Sequence, residues 1–221
     1  MRPFLSAISA SLQTVLDTVL PPKERTVRTK LLSPEDIPLC PTAHELLGAT
    51  IITLMNYKEQ AAQDLVQSLK YDGGSRAAVL CAGVLAEYLR DELASHSLFS
   101  QKRVLLVPVP LHASRKRERG FNQIEVVLRA LPEELRNGSR ALFSPEVLVR
   151  SRATKSQTRL PRSERLSNVA GAFEVPDTAL AEGAHVFLLD DVATTGATLV
   201  NAGNALRRAG ASVTLLALAR A

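Results

Sequence analysis

The strongest constraint on the fold lies near the end of the sequence, where two apolar runs flank a helical pattern. The runs are HVFLLD, starting at His185, and SVTLLALA, starting at Ser212. Each has the length and composition of a strand buried in a parallel sheet. Between them, ATLVNAGNALRRAG has helical periodicity and ends at Gly210, a residue that suits a helix C-terminus. Strand, helix and strand in this order predict a right-handed βαβ unit.

Other segments supply strands and helices that fit around this unit. RVLLVPV is apolar throughout and has the length of a buried strand, and three further segments (KEQAAQDLVQSLK, SRAAVLCAGVLAEYLRDEL and NQIEVVLRAL) have helical spacing. The sequence therefore predicts an α/β fold with a central, mostly parallel, five-stranded sheet flanked by helices. The predicted core strands are Val104–Val109, Val147–Arg150, Ala172–Val175, His185–Asp190 and Ser212–Leu218. TIITLMNY, from Thr50 to Tyr57, is a further strand candidate.

Composition excludes several classes of protein. Hydrophobic residues make up 46% of the 221 positions, which is typical of a globular chain. The two cysteines, Cys40 and Cys81, form no CxxC pair, so neither a disulfide framework nor a zinc knuckle is predicted. The four histidines show no HxxxH or HExxH spacing, which argues against a histidine metal site. No pattern indicates an oligomeric state.

The first residues have the spacing of an amphipathic helix. In FLSAISASLQTVLDTVL, apolar residues recur at helical intervals from Phe4 to Val19. Gln13 and Asp17 interrupt them, and no basic start precedes a long apolar run, so neither a signal peptide nor a membrane span is indicated. We expect a cytoplasmic protein in which residues 1–56 form a helix and small appendage, and residues 57–221 form the main domain.

Two adjacent carboxylates and a hydroxyl-rich loop follow the strand HVFLL. Ligands of open parallel sheets bind beyond the carboxyl ends of strands, where Asp190 and Asp191 are predicted to lie. The loop ATTGAT then enters a helix, whose first N–H groups and dipole favour an anion. This pattern predicts a phosphate cradle beside carboxylates that suit a ribose diol or hydrated Mg²⁺. The alternative is an aspartate cap and a threonine loop with no ligand.

VFLLDDVATTGATL resembles the phosphoribosyl pyrophosphate (PRPP) signature of type I phosphoribosyltransferases, in which hydrophobic residues precede two acidic residues and a threonine- and glycine-rich loop. The resemblance implies the fold of that class. It also implies that Asp190 and Asp191 act in catalysis and hold Mg²⁺ through water. The residues implied to bind the 5-phosphate are Ala193, Thr194, Thr195, Gly196, Ala197 and Thr198.

Three other stretches resemble a narrower family, the competence-associated ComF proteins. They are LKYDGG, VPVPLHASRKRERGFNQ and RATKSQTRLPRSERLSNVAGAF, and the similarity runs from about Tyr57 to Arg220. VLDTVLPP also fits the opening helix of the family. Many members carry a four-cysteine zinc finger at the point where this sequence has KERTVRTKLLSPEDIPLC, with Cys40 alone. The departure predicts that the zinc module has been lost.

Two basic clusters are candidates for binding pyrophosphate. One spans Arg115–Arg119 and the other Arg150–Arg165. Type I phosphoribosyltransferases bind pyrophosphate with a loop after the first sheet strand and close a flexible loop over it, which implies Val109–His112 and Arg152–Leu160 for these roles. The implied pyrophosphate ligands are Pro110, Leu111, His112, Arg115 and Arg119, and the implied catalytic residues of the flexible loop are Arg152 and Lys155. A solvated basic face is the alternative for the first cluster. Lys70, in LKYDGG, is a further candidate site residue, and the alternative is that it simply closes its helix.

Two functions of different classes follow. The first is a Mg²⁺-dependent enzyme that transfers phosphoribosyl from PRPP to an unidentified acceptor and releases pyrophosphate. The second is a non-catalytic protein that binds PRPP or a nucleotide, or handles single-stranded DNA during competence. The net charge of +5 suits either anionic ligand, whereas the aromatic content of 4% supplies few stacking platforms for bases. The intact aspartate pair favours the enzyme.

Overall fold

The computed structural model describes residues 24–71, 74–99, 102–111, 117, 120–151 and 171–221. The helices are α1 (Glu24–Leu31), α2 (Gln60–Tyr71), α3 (Ser75–Phe99), α4 (Gln123–Arg129), α5 (Thr178–Ala181) and α6 (Ala197–Arg208). The strands are β1 (Thr42–Leu46), β2 (Ala49–Asn56), β3 (Val104–Pro108), β4 (Leu142–Phe143), β5 (Val149–Arg150), β6 (Phe173–Glu174), β7 (His185–Ala193) and β8 (Ser212–Arg220). Several sequence predictions lie outside the described residues. They are the N-terminal helix, the flexible loop, and the site residues His112, Arg115, Arg119, Arg152 and Lys155.

The main sheet of the described residues has six strands in the order β1-β2-β8-β7-β3-β4. Its neighbouring strands are parallel except for the antiparallel pair β1–β2. The predicted α/β class with a mostly parallel sheet is therefore confirmed. Three predicted strands are confirmed as β3, β7 and β8, and the candidate Thr50–Tyr57 forms most of β2. Because β2 pairs with β8, the β1–β2 hairpin is part of the main sheet.

Two of the five predicted core strands are wrong. Val147–Arg150 and Ala172–Val175 contribute only two residues each, as β5 and β6, and these pair antiparallel in a separate sheet. A 3₁₀ turn that starts at Pro145 takes up the first residue of the predicted segment. The side chains of Val147 and Phe173 are nevertheless buried, in the cluster that packs on one face of the main sheet. Their hydrophobicity reflects packing against the sheet and not membership of it.

Helices cover both faces of the main sheet. On one face α2, α3 and α4 share a buried cluster with Leu106, Phe187 and Leu216. On the other face α6 packs with Leu105 and Leu188. Neighbouring residues of one strand thus enter opposite cores, which explains why β3 and most of β7 are apolar without alternation. Among the described helices, none combines the length and the apolarity needed to cross a bilayer.

The hairpin β1–β2 lies against the loop that precedes α6. Its two-residue turn, Leu47–Gly48, has φ of 55° and 72°, as in a type I′ turn. Gly196 lies so close to the hairpin that a Cβ there would be 2.6 Å from Ile51 Cδ1 and 3.1 Å from Leu46 Cβ. The hairpin therefore fixes the position of this loop.

A buried carboxylate holds α1 to the helical layer. Arg28 donates to both carboxylate oxygens of Asp64 on α2, at 2.6 and 2.9 Å. Gln60 donates to the same carboxylate at 3.0 Å. Arg76 of α3 also donates to the carbonyl of Leu32, just after α1, at 2.7 Å. Side-chain hydrogen bonds thus dock α1, which lies within the segment KERTVRTKLLSPEDIPLC, onto α2 and α3.

Candidate functional site

The aspartate pair lies where β7 extends past its neighbour β3. β3 ends at Pro108, opposite Leu189, whereas β7 continues through Asp190 and Asp191 to Ala193. On its other side, β7 stays paired with β8 over these last residues. The two carboxylates therefore occupy the carboxyl edge of the sheet, past the last paired residue of β3. This is the edge at which open α/β sheets bind ligands.

Side chains from two different helices converge on Asp191. Lys70, in the last turn of α2, places Nζ 3.1 Å from Oδ2. Gln123, the first residue of α4, donates to the same oxygen at 3.2 Å and is only 3% exposed. One cation and one buried amide thus fix the orientation of the Asp191 carboxylate. Lys70 has a role beyond helix closure, since it supports a carboxylate of the candidate site.

Asp190 is in a different environment from its neighbour. Its Oδ1 accepts the backbone N–H of Asp191 at 2.9 Å. Burial and the adjacent Asp191 charge raise the pKa of Asp190 to about 7, although the charges of Lys70 and Arg150 act in the opposite direction. Near neutral pH the pair therefore carries less than its full negative charge, and a bound cation would favour the fully ionised pair.

The loop after β7 forms the turn that starts α6. Gly196 has φ of 77°, a left-handed conformation that glycine adopts without strain. Thr195 Oγ1 accepts the N–H of Ala197 at 3.4 Å, and Thr194 is exposed. A small pocket opens beside this turn, lined by Asp190, Val192, Ala193, Thr194, Thr195, Gly196, Ala197, Thr198 and Leu199. All the residues predicted to bind the 5-phosphate line this pocket, together with one carboxylate of the pair.

Asn122 fixes the chain where it leaves β3. Its Nδ2 donates to the carbonyl of Val109 at 3.0 Å, and its Oδ1 accepts the N–H of Ile124 at 3.0 Å as the N-cap of α4. Gly120, with φ of 79°, lies in the bend before it. Asn122 thus ties the start of the predicted pyrophosphate loop to α4, and the next residue, Gln123, contacts Asp191.

The predicted pyrophosphate loop is described only in part. Pro110 and Leu111 follow directly after Val109 and are partly buried. The other residues predicted to bind pyrophosphate lie outside the described residues. The sequence predicts Arg150 as the end of a strand and as part of a basic cluster, but not as a residue of the aspartate site. It lies with its guanidinium 5.2 Å from the centre of the Phe173 ring, and its charge lowers the pKa of Asp190.

Comparisons with curated proteins identify the family. The chain is 31% identical to the DNA utilization protein YhgH of Escherichia coli (strain K12) over 165 residues, which are 73% of this chain and 67% of that protein. It is 30% identical to the competence protein ComFC of Streptococcus pneumoniae (strain ATCC BAA-255 / R6) over 167 residues, 76% of this chain and 66% of the relative. The chain belongs to the ComF family. The resemblance seen in the sequence is therefore confirmed.

The match to other ComF relatives covers less of their length. With YhgH of Salmonella typhimurium the identity is 32%, over 67% of this chain, and the match spans 62% of the relative. No protein-family model matches the chain.

Two solved phosphoribosyltransferase structures each cover 88% of this chain. The orotate phosphoribosyltransferase of Mycobacterium tuberculosis H37Rv matches over 82% of its own chain, with 14% identity and a TM-score of 0.35. A phosphoribosyltransferase of Corynebacterium diphtheriae matches over 81% of its own chain, with 18% identity and a TM-score of 0.34. Likeness at this level supports no inference about this ComF protein.

Proposed function

We propose that this ComF-family protein binds PRPP at the carboxyl edge of its sheet and transfers the phosphoribosyl group to an acceptor, with release of pyrophosphate. The observation that supports this most is the pocket that joins Asp190 to the threonine–glycine loop. One ligand could reach both groups if it had a phosphate at one end and vicinal hydroxyls a few bonds away. The ribose 5-phosphate part of PRPP has this arrangement.

The loop end of the pocket suits the 5-phosphate. The first N–H groups of α6 have no acceptor within the helix, and the helix dipole favours an anion there. Gly196 forms the left-handed turn at the start of α6, and Thr194 and Thr195 bring hydroxyl groups to the same turn. We assign the 5-phosphate to this end because the carboxylates would repel it from the other.

The carboxylate end of the pocket suits the ribose hydroxyls. Asp191 is held by Lys70 and Gln123 before any ligand arrives, so its acceptor oxygens need little reorganisation. The two aspartates would accept hydrogen bonds from the vicinal hydroxyls of the ribose. In this proposed arrangement C1 of the sugar would lie toward the carboxyl end of β3, on the side of the predicted pyrophosphate loop.

The aspartate pair also fits Mg²⁺. Magnesium is usually held by one or two carboxylates together with water and substrate oxygens. Asp190 and Asp191 would supply those carboxylates, and the raised pKa of Asp190 reflects a charge that a cation would stabilise. Among the described residues no group of three or more His, Cys, Asp or Glu could hold a metal, so oxygens of the ligand would complete the coordination. The ion would neutralise charge on the pyrophosphate.

The proposed reaction breaks the bond between ribose C1 and the pyrophosphate oxygen. The bonding electrons leave with pyrophosphate, and the lone pair of an acceptor nitrogen forms the new bond to C1. The nitrogen then gives its proton to solvent. Positive charge develops on the sugar as the bond breaks, and the nearby carboxylates of Asp190 and Asp191 stabilise that charge. No nucleophilic side chain is needed, and the acceptor is proposed only as an amine or ring nitrogen.

A second function is supported by the names of the relatives, a DNA utilization protein and a competence protein. In this alternative, the protein binds PRPP or a nucleotide without turnover, or handles single-stranded DNA in DNA uptake. The two functions differ in one product, since only the enzyme releases pyrophosphate.

Pyrophosphate release from PRPP and Mg²⁺, measured against a panel of nucleobases and amines, tests the enzymatic proposal. We expect release with at least one acceptor, and loss of release in the double variant Asp190→Asn/Asp191→Asn. Asp91→Asn is the matched control, because Asp91 is an exposed carboxylate on α3. PRPP binding without release for any acceptor would favour the non-catalytic alternative. Equal release by the double variant would refute the assigned site.

A further inference from the structure

Lys70 is a cation built into the aspartate site. Its Nζ lies 3.1 Å from Asp191 Oδ2, and the Lys70 and Asp191 side chains are only 22% and 16% exposed. Gln123 donates to the same oxygen at 3.2 Å. Because water is largely excluded from both charged side chains, their attraction is stronger than in an exposed ion pair. The free protein thus keeps one ammonium group on the carboxylate pair.

The aspartate pair has more negative charge than Lys70 neutralises. Asp190 and Asp191 carry two negative charges when both are ionised, whereas Lys70 brings one positive charge into contact with them. Burial and the charge of Asp191 raise the pKa of Asp190 even with Lys70 in place. The site therefore still attracts a cation of higher charge.

Lys70 and a divalent cation are alternatives at Asp191. Magnesium on the pair would need the carboxylate oxygens, and Lys70 Nζ already contacts one of them. Two positive charges a few ångströms apart repel each other strongly where water is largely excluded. Gln123 is uncharged, so its hydrogen bond to the same oxygen is compatible with either cation. We therefore expect that Lys70 leaves Asp191 when a divalent cation binds there.

Lys70 lies on the side of the site where the pyrophosphate loop is predicted. α2 and α4 share one face of the sheet, whereas α6 packs on the other. Gln123, which contacts the same oxygen as Lys70, follows Asn122 directly. Asn122 in turn donates to the carbonyl of Val109, at the start of the predicted loop. Because lysine has a flexible four-carbon stem and three donors, its ammonium can change partner without movement of α2.

We propose that Lys70 is an exchangeable counter-ion of the aspartate pair. Its ammonium neutralises Asp191 in the free protein, is released when a divalent cation binds the pair, and then contacts the diphosphate of the bound ligand. A cation that binds alone has to break the Lys70–Asp191 ion pair, so it binds weakly. With PRPP present the released ammonium gains a new partner, so the cation and PRPP increase each other's affinity. This regulation rests on the proposed PRPP site.

Two measurements on each variant test the proposal. The first is the affinity for Mg²⁺ alone, from competition with a fluorescent magnesium indicator. The second is a coupling factor, which is the dissociation constant of PRPP with a chelator divided by that with saturating Mg²⁺, both from calorimetry. Binding of Mg²⁺ by PRPP in solution is the same for every variant, so it does not affect the comparison. Titrations at about pH 9, above the pKa of about 7 for Asp190, keep that carboxyl ionised.

Lys70→Gln removes the ammonium, and Lys30→Gln is the matched control, because Lys30 is an exposed lysine on α1. Lys70→Gln should bind Mg²⁺ alone about tenfold more tightly than the parent, since no charged hydrogen bond has to be broken. Its coupling factor should be about tenfold smaller, since one charged hydrogen bond to the diphosphate is lost. Lys30→Gln should match the parent in both measurements. Thermal melting without ligand checks folding, and Lys70→Met, which keeps an apolar stem, replaces Lys70→Gln if the latter is unfolded.

Other roles for Lys70 give different results. A lysine that stays in place would repel Mg²⁺ and attract PRPP independently, so its removal would change both affinities but not the coupling factor. A lysine that only orients Asp191 would weaken the binding of Mg²⁺ alone when it is removed. Either result in the folded variant, or no binding of Mg²⁺ alone by that variant, would overturn the proposal.

Failure of the PRPP site gives a separate result. If the parent binds no PRPP with Mg²⁺, the proposed transferase is wrong, whatever Lys70→Gln does to the affinity for Mg²⁺ alone. The coupling factor is then measured with inorganic pyrophosphate, which carries the same diphosphate group. A smaller factor in Lys70→Gln would still support the exchange of Lys70, and an unchanged factor would overturn it.

Discussion

Gly196→Ala should destabilise the protein by about 2–5 kcal/mol. A left-handed backbone, here with φ of 77°, costs an alanine about 1–2 kcal/mol. The new Cβ would also lie 2.6 Å from Ile51 Cδ1, well inside van der Waals contact. Ile51 is fully buried and has little freedom to move. Overpacking of this kind adds about 1–3 kcal/mol.

Two further variants separate the backbone cost from the clash. Gly120 has φ of 79°, but no atom of the described residues lies within 4 Å of the position that a Cβ would take there. Gly120→Ala should therefore cost only the backbone contribution, about 1–2 kcal/mol. Ile51→Val removes the clashing Cδ1 and should cost about 0.5–1.5 kcal/mol alone. The double variant Gly196→Ala/Ile51→Val should then lose about 1–2 kcal/mol less than the sum of the single losses.

Urea unfolding followed by circular dichroism gives these free energies of unfolding. A Gly196→Ala cost no larger than that of Gly120→Ala would show that the hairpin does not press on the loop. Strict additivity in the double variant would show that Ile51 is not the group that the new methyl meets. Either result would refute the packing described for the candidate site.

Three other changes probe separate features. Leu47→Asn should stabilise the hairpin by about 1 kcal/mol, because asparagine tolerates the positive φ of this exposed turn position, and a lower urea midpoint would contradict the turn assignment. Lys70→Gln should raise the pKa of Asp190 further by removing a cation that opposes the shift, and carboxyl-carbon NMR that shows no rise would exclude the proximity of Lys70. Burial, His96 and Lys102 lower the pKa of His185 from 6.5 to about 4, so its neutral ring stabilises the fold above about pH 6.5 and this stability is lost as pH falls toward 4. After allowance for solvent screening the loss in the parent is about 2 kcal/mol, and it should be absent from His185→Gln. The same dependence of unfolding free energy on pH in both proteins would show that the ring titrates normally.

The βαβ unit and its aspartate loop could be predicted from sequence because their signals are local. Apolar runs of strand length, a helical period and the turn glycine all lie within residues 185–218. Each of these signals depends only on residues that are close together in the sequence. The residues around Val147 and Phe173 show the limit of this reasoning. They are as apolar as a strand requires. A segment that packs against a sheet and a strand within the sheet have the same apolar sequence pattern, so the sequence alone does not distinguish them.

The partners of Asp191 could not be predicted, because they come from distant parts of the chain. Gln123 is 68 positions away from Asp191, and Lys70 lies further still. Only the packing of α2 and α4 on one face of the sheet brings these side chains to the end of β7.

Calorimetric titration of PRPP, with Mg²⁺ and with a chelator, tests the central claim most directly. The parent should bind PRPP more tightly with Mg²⁺. Asp190→Asn/Asp191→Asn keeps the size of both side chains but should weaken binding by about 3–6 kcal/mol, at about 1.5–3 kcal/mol for each charged hydrogen bond, and abolish the effect of Mg²⁺. Thr195→Val should cost only about 1–2 kcal/mol, and equally for ribose 5-phosphate. If the folded double variant binds PRPP and Mg²⁺ as tightly as the parent, the aspartate pair is not the PRPP site.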